Sequence, residues 1–146
     1  MRTFIENPIE IMEMVYRRLH HLPPLGYVSD IMHWKFLLDS ARAPLIRETW
    51  KLAAAGTPID DLLRFLNDDR QFRTPPRGRL GGKPLRRSAL YKLLTDPFYA
   101  GYIRDDDRLA RGYHEPLVSE DDFFAVQHLL EQRRRNRGSR LPPAAT

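Results

Sequence analysis

The sequence predicts an α+β domain, mainly α-helical: a helix–loop–helix core, a small antiparallel β-hairpin and a C-terminal helix. Three observations carry that expectation. Apolar residues recur at helical spacing in five separate segments. The period shortens to that of strands only around residues 99–113. Clusters of proline and glycine separate the segments.

The first helix is expected over residues 8–21, where Ile9, Met12, Val15, Tyr16 and Leu19 share a face and Pro23, Pro24 and Gly26 stop it. Residues 23–43 read as a connector. Pro44 suits a first helical position ahead of Leu45, Ile46, Thr49, Trp50 and Leu52, and Gly56 is the natural stop. Thr57, Pro58 and Asp60 then predict a capped start for a third helix, with Ile59, Leu62, Leu63 and Leu66 as its apolar stripe and Asn67 as its end. Residues 70–84 hold too many prolines and glycines for regular structure. Ser88 is a plausible cap for a fourth helix that turns Ala89, Leu90, Leu93 and Leu94 to the core and is closed by Asp96-Pro97. Residues 99–103 and 108–113 read as strands around the turn Asp105-Asp106-Asp107. Ser119 with Asp122 forms a capping box for the last helix, which carries Phe123, Phe124, Val126, Leu129 and Leu130.

A chain of 146 residues fits one domain, or one domain plus an arm. A chain of this length buries roughly 70% of its unfolded surface without a metal or disulfide staple. It has no cysteine, which excludes disulfide frameworks, thiolate zinc sites and cysteine nucleophiles. No apolar run approaches the ~20 residues that span a bilayer. Glu6, Pro8, Glu10 and Glu13 interrupt any apolar core of a signal peptide. The default is a soluble protein of a reducing compartment. No cofactor, metal or small-molecule substrate is expected.

The charge is modest in total, with 24 Lys and Arg against 19 Asp and Glu, but uneven. Between residues 70 and 92 stand Arg70, Arg73, Arg77, Arg79, Lys83, Arg86, Arg87 and Lys92 with no acid among them. A second cluster follows in Arg133, Arg134, Arg135, Arg137 and Arg140. Glycine in the first cluster allows close backbone approach to a ligand. Its cations flank the start of the fourth helix, whose free N–H groups and dipole favour phosphate. Duplex DNA is the polyanion this pattern fits. Phosphate contacts are expected from Arg73, Thr74, Arg77, Arg79, Lys83 and the tail residues Arg133, Arg134 and Arg137, and Ser88 is a further expected DNA-binding residue. Base-edge contacts, if any, fall to Arg86, Arg87, Tyr91 and Lys92 on the exposed face of the fourth helix. Five such cations on phosphates would give a salt slope of roughly −4 to −5, at about −0.9 per contact.

The residues also resemble a known family. Ala43-Pro44-Leu45-Ile46-Arg47 through Trp50 and Ala55-Gly56, then the stretch 59–67, Arg73-Thr74-Pro75, Ser88-Ala89-Leu90 with Leu93-Leu94, and Asp96-Pro97-Phe98-Tyr99-Ala100-Gly101 follow in order. Gly112-Tyr113-His114-Glu115-Pro116-Leu117-Val118-Ser119 and then Phe123, Val126-Gln127 and Leu130 complete the series. The whole resembles the recombinase DNA-binding domain of large serine recombinases, the type found in phage integrases and transposon resolvases, and Leu22-Pro23-Pro24-Leu25-Gly26-Tyr27 resembles the segment that introduces it.

The resemblance implies site-specific recombination: a catalytic domain supplies a serine that attacks DNA, this domain holds the attachment-site half-site, and a zinc ribbon follows. Neither neighbour is expected in this chain. Only about 22 residues precede the Pro-Gly-Tyr segment, Ser29 lacks the arginine of the catalytic motif, and there is no cysteine for a ribbon. The expected division is an N-terminal helical arm over 1–22, the recombinase domain over 23–135 and a basic disordered tail over 136–146. No strand cleavage is expected from this chain. The setting implied is the bacterial or phage cytoplasm, at the nucleoid. Residues 28–43 depart from the family in being more apolar, through Ile31, Met32, Trp34, Phe36, Leu37 and Leu38.

The sequence also admits rival readings. His114-Glu115 near Asp105-Asp106-Asp107 suggests metal or acid–base chemistry, but adjacent residues do not share a helix face, and a structural turn explains them better. Trp50, Phe65, Phe98, Tyr99, Phe123 and Phe124 sit at core spacing, whereas Tyr91, Tyr102 and Tyr113 are open to contact roles. The helix at 9–19 and the apolar segment 31–38 either form a surface for self-association or a separate catalytic subunit, or cover each other. A protein–protein association module and a non-specific basic DNA-binding accessory protein are the alternatives to a site-specific module.

Overall fold

The helical pattern folds as read, with a second hairpin that the pattern does not announce. The computed structural model describes residues 8–105 and 108–139. In order these form α1 (Pro8–Leu19), β1 (Tyr27–Asp30), β2 (Lys35–Leu38), α2 (Ala43–Ala54), α3 (Ile59–Arg64), a π-helical turn (Phe65–Asp69), α4 (Arg87–Leu94), a 3-10 turn (Pro97–Ala100), β3 (Tyr102–Asp105), β4 (Arg108–Arg111) and α5 (Glu120–Ser139). The turn residues 106–107 and the chain beyond 139 lie outside the described residues, so the Asp105-Asp106-Asp107 turn and most of the expected tail are not described. Helix α5 itself runs to Ser139, past the residue where that tail was expected to begin.

One core joins every element. Ile46, Trp50, Leu62, Leu66, Leu90, Leu94, Tyr99, Ile103 and Val126 are among its most deeply buried side chains. Trp50 of α2 lies against Phe123 of α5 at 5.7 Å between rings. Phe124 turns out to solvent, 62% exposed, because its neighbour takes the inward face of the same helical turn. Helix α1 belongs to this core through Met12, Val15 and Tyr16.

Residues 23–43 contain a hairpin in place of the expected connector. β1 and β2 pair antiparallel, Tyr27 with Leu38 and Asp30 with Lys35. Its pattern is obscured because Val28 and Leu37, on the outward face, are as apolar as the buried Tyr27 and Phe36. Its turn also lacks glycine, and Trp34 adopts the left-handed region at φ 55°. Trp34 and Phe36 pack on Tyr16 of α1 at 5.9 and 5.2 Å, so helix and apolar segment do cover each other. Arg17 lies over the Trp34 ring at 5.2 Å.

Helix ends follow backbone bonding more than side-chain caps. Gly56, at φ 101°, closes α2 in a Schellman motif, with Thr57 N donating to Leu52 O at 3.1 Å and Gly56 N to Ala53 O at 3.0 Å. Thr57 is occupied by that closure. The cap of α3 is therefore Pro58, one residue later than expected and without a side-chain bond. Asn67 does not end the third helix: the π turn carries it on, and Arg70 N donates to Phe65 O at 2.9 Å. Ser119 caps α5 as expected, accepting from Asp122 N at 3.1 Å. The third strand begins at Tyr102, because Asp96 accepts from Phe98 N at 3.0 Å and starts the 3-10 turn instead.

Candidate nucleic-acid interface

Three elements carry the cations: the loop of residues 73–86, α4, and the second half of α5. Phe72 and Leu85, both buried, anchor the two ends of the loop in the core. Between them the chain is a closed hairpin. Thr74 N donates to Lys83 O and Gly82 N to Thr74 O, each at 2.8 Å, while Lys83 N donates to the Thr74 hydroxyl at 3.2 Å. Near the tip, Arg77 and Leu80 exchange both backbone bonds at 2.7 Å around Gly78-Arg79. A Cβ on Gly81 would stand 2.0 Å from Pro75 O, so only glycine allows the two sides to meet.

Asn67 fixes where this loop hands over to α4. Its side-chain amide donates to Leu85 O at 3.0 Å and its side-chain carbonyl accepts from Leu85 N at 2.9 Å. Arg86 leaves that clamp extended, at ψ 156°, and is itself the N-cap. The cap of α4 thus lies two residues before the expected one, and Ser88 is inside the first turn. Leu90, Leu93 and Leu94 are buried, which leaves Arg87, Ser88, Lys92 and the half-buried Tyr91 on the outer side. The free N–H groups and dipole of this start favour an anion.

The cations divide by what holds them. Arg77, Arg79, Lys83, Arg86 and Lys92 are exposed and have no hydrogen-bond or ion-pair partner for their side chains among the described residues. Arg73 is half-buried and donates to Asn67 O at 3.2 Å and Phe72 O at 2.6 Å, so it stiffens the loop base. Arg42 adds to that base by donating to Arg73 O at 2.8 Å. Arg70 pairs with Glu48 at 3.2 Å. Arg87 pairs with Asp60 of α3 and lies 5.9 Å over the Tyr91 ring. The acid-free run of sequence is therefore not acid-free in space.

On α5, Arg133 reaches across to Gly56 and donates to its carbonyl at 3.0 Å. Gly56 lies four residues before Asp60, the partner of Arg87, so this half of α5 shares one end of the molecule with the start of α4. Arg134 and Arg135 both bond Glu131, at 2.8 and 3.2 Å. Hydrogen bonding from Arg134, and then from Arg135, holds the Glu131 carboxyl below its ordinary range. Arg137 is exposed.

His114 is a buried structural group. Its ring stacks on Phe98 at 3.7 Å and its Nε2 donates to Phe98 O at 2.6 Å, which leaves Nδ1 without a partner. Burial lowers its pKa, so the neutral ring is favoured. Tyr102 is half-buried and donates to Glu120, whereas Tyr113 is largely exposed. No group of three or more metal-ligating side chains occurs among the described residues, and no described helix is long and apolar enough to cross a membrane.

Fold and surface together define a small, mainly helical α+β module with a cation-bearing hairpin set against a short helix. The chain belongs to the Recombinase family, whose model matches residues 40–133. Among solved structures it resembles a crystal structure of an LSR–DNA complex, with a TM-score of 0.61 and 21% identity over 84% of this chain and 39% of that one. It also resembles a structure concerned with the sequence requirements of the Listeria innocua prophage attP site, with a TM-score of 0.63 and 21% identity over 86% of this chain and 53% of that one. The chain thus spans about 39% and 53% of the lengths of these two. Comparison with curated proteins finds no match.

Proposed function

We propose that this chain binds duplex DNA at a recombination attachment site, as the DNA-holding module of a site-specific serine recombinase. One observation carries the reading. Arg77, Arg79, Lys83, Arg86 and Lys92 present free charge along one continuous stretch, the hairpin and α4, whose inner side is tied into the core by Leu85, Leu90, Leu93 and Leu94. Family membership and the likeness to an LSR–DNA complex support it. In this reading α4 enters the major groove with Arg86, Arg87, Tyr91 and Lys92 nearest the bases. Lys83, Ser88 and Arg137 lie on phosphates. Strand cleavage is assigned to a separate catalytic part, and recognition to these residues.

The test is fluorescence anisotropy with duplex DNA across a salt series, followed by selection from a random-sequence pool. Affinity that falls steeply with salt, together with an enriched sequence, is the expected result. Absent or salt-insensitive binding overturns the reading. Salt-sensitive binding without enrichment leaves a non-specific basic accessory protein.

A second reading rests on the tip of the first hairpin. Ile31 is 68% and Met32 84% exposed, beside the outward-facing Val28 and Leu37. Such a patch suits self-association or a catalytic partner. Concentration-dependent size in the absence of DNA, abolished by Met32→Lys, is its signature.

A further inference from the structure

The hairpin of residues 74–83 differs from an ordinary solvated basic loop in three respects. It is prebuilt, closed at its base by the Thr74–Lys83 pairing and near its tip by the Arg77–Leu80 bridge. Its two arginines, Arg77 and Arg79, flank a glycine whose Cβ position faces open space, so bare backbone stands at the apex. Beside them Leu80 is 57% exposed, an apolar side chain at the tip of an otherwise cationic element.

We propose that Arg77 and Arg79 enter the DNA minor groove at an A·T-rich step, next to the major groove taken by α4. The proposal rests on the DNA reading above and deepens it. It also replaces the expectation that these two arginines lie on phosphates. The narrow minor groove of A·T-rich DNA concentrates negative potential and draws in arginine. An apolar side chain beside the guanidiniums suits the groove wall, as in proteins that dock there with small wedges. A glycine at the apex lets the backbone approach the groove floor. The closed hairpin orders these groups before DNA arrives, which removes part of the entropy cost of docking.

The reach is sufficient. Four residues separate the Thr74–Lys83 base from the tip, at most about 13 Å at ~3.3 Å per residue. Adjacent major and minor grooves are about half of a ~34 Å turn apart along the axis. An extended arginine side chain covers the difference. The Asn67–Leu85 clamp pins the chain between the hairpin and α4, and in this proposal the two elements meet neighbouring grooves as one body.

Matched duplexes of equal length, made of A·T, diaminopurine·T, I·C or G·C pairs, separate the grooves. A·T and diaminopurine·T share a major groove and differ only by an amino group in the minor groove; I·C and G·C form a second such pair. The wild-type chain is expected to bind A·T about tenfold more tightly than diaminopurine·T, and I·C about tenfold more tightly than G·C, the lower end of what one altered base pair costs. The double variant Arg77→Ala/Arg79→Ala should unfold at the wild-type temperature, since both side chains are exposed and unpartnered, and should bind both members of each pair alike. Salt-sensitive binding that ignores the amino group overturns this proposal and leaves the DNA reading standing. So does a double variant that loses affinity equally on all four duplexes, which would mean phosphate contact only. If the wild-type chain shows no salt-sensitive binding to any duplex, both fall.

Discussion

The side-chain amide of Asn67 pairs with both backbone groups of Leu85, at 2.9 and 3.0 Å, much as a neighbouring strand would. Leu85 is buried, so neither group has water in reserve. Replacing Asn67 with Ala leaves a buried donor and acceptor unpaired, at a cost of about 1–3 kcal/mol. In a domain of this size that corresponds to a fall in Tm of about 2–4 °C per kcal/mol, measurable by circular dichroism. Asn67→Asp keeps one acceptor and loses the donor, so it should lie between Ala and wild type near neutral pH only if the carboxylate stays solvated. Both variants should weaken duplex binding, because Arg86 and Arg87 follow directly from the clamp.

How much of this was legible in advance differs by feature, for physical reasons. The apolar stripes of α2, α3 and α4 are local, and they predicted the buried faces of Ile46, Leu62, Leu90 and Leu94 correctly. The caps read at Thr57 and Ser88 failed because each is decided by a bond from outside its own helix: the Schellman closure of α2 in one case, the Asn67 clamp in the other. The burial of Phe72 and Leu85, inside a stretch rich in glycine and proline, follows only once the loop closes on itself. The first hairpin was hidden by its apolar outer face. The order of charges along the chain does not show the acids Glu48 and Asp60, which arrive from other helices to meet Arg70 and Arg87.

Asp60 restrains one of the cations assigned to the DNA. The Arg87–Asp60 pair is half exposed on both sides, so breaking it alters stability little, by about 0–1 kcal/mol. Asp60→Asn frees Arg87 and removes a negative charge from beside the phosphates. Duplex affinity should rise, without change in Tm beyond that small margin. Arg87→Ala should lower affinity by about 1–3 kcal/mol and relax the sequence preference at the base it reads. Unchanged affinity together with an unchanged preference in the random-pool selection would remove Arg87 from the contact surface.

His114 should make the domain acid-sensitive. Burial lowers its pKa in the folded state below the unfolded value near 6.5, so the unfolded chain takes up a proton before the folded one does. Stability is therefore complete above about pH 6.5 and declines as the pH falls through that value, until the folded pKa is reached. The neutral ring is held by its bond to Phe98 O and by stacking on Phe98. Urea denaturation at a series of pH values should show this slope in the wild type. His114→Gln should be less stable at neutral pH and should lack this part of the slope.

Gly81 should prove indispensable to the hairpin and dispensable to the core. Its φ of +80° is one that side-chain-bearing residues rarely adopt, and a Cβ would stand 2.0 Å from the carbonyl oxygen of Pro75. Backbone, not a flexible side chain, is in the way, so the variant cannot keep both the Thr74–Lys83 base and the Arg77–Leu80 bridge. The loop sides hold few buried side chains between Arg73 and Pro84, so Gly81→Ala should leave the main unfolding transition close to wild type. Amide exchange at Gly82 and Lys83, whose N–H groups close the base, should quicken. Gly82→Ala is the control, because its Cβ meets nothing within 4 Å, although its φ of +65° adds modest strain. Equal protection in Gly81→Ala and wild type would show that the hairpin tolerates the side chain, and that its shape does not depend on this close approach.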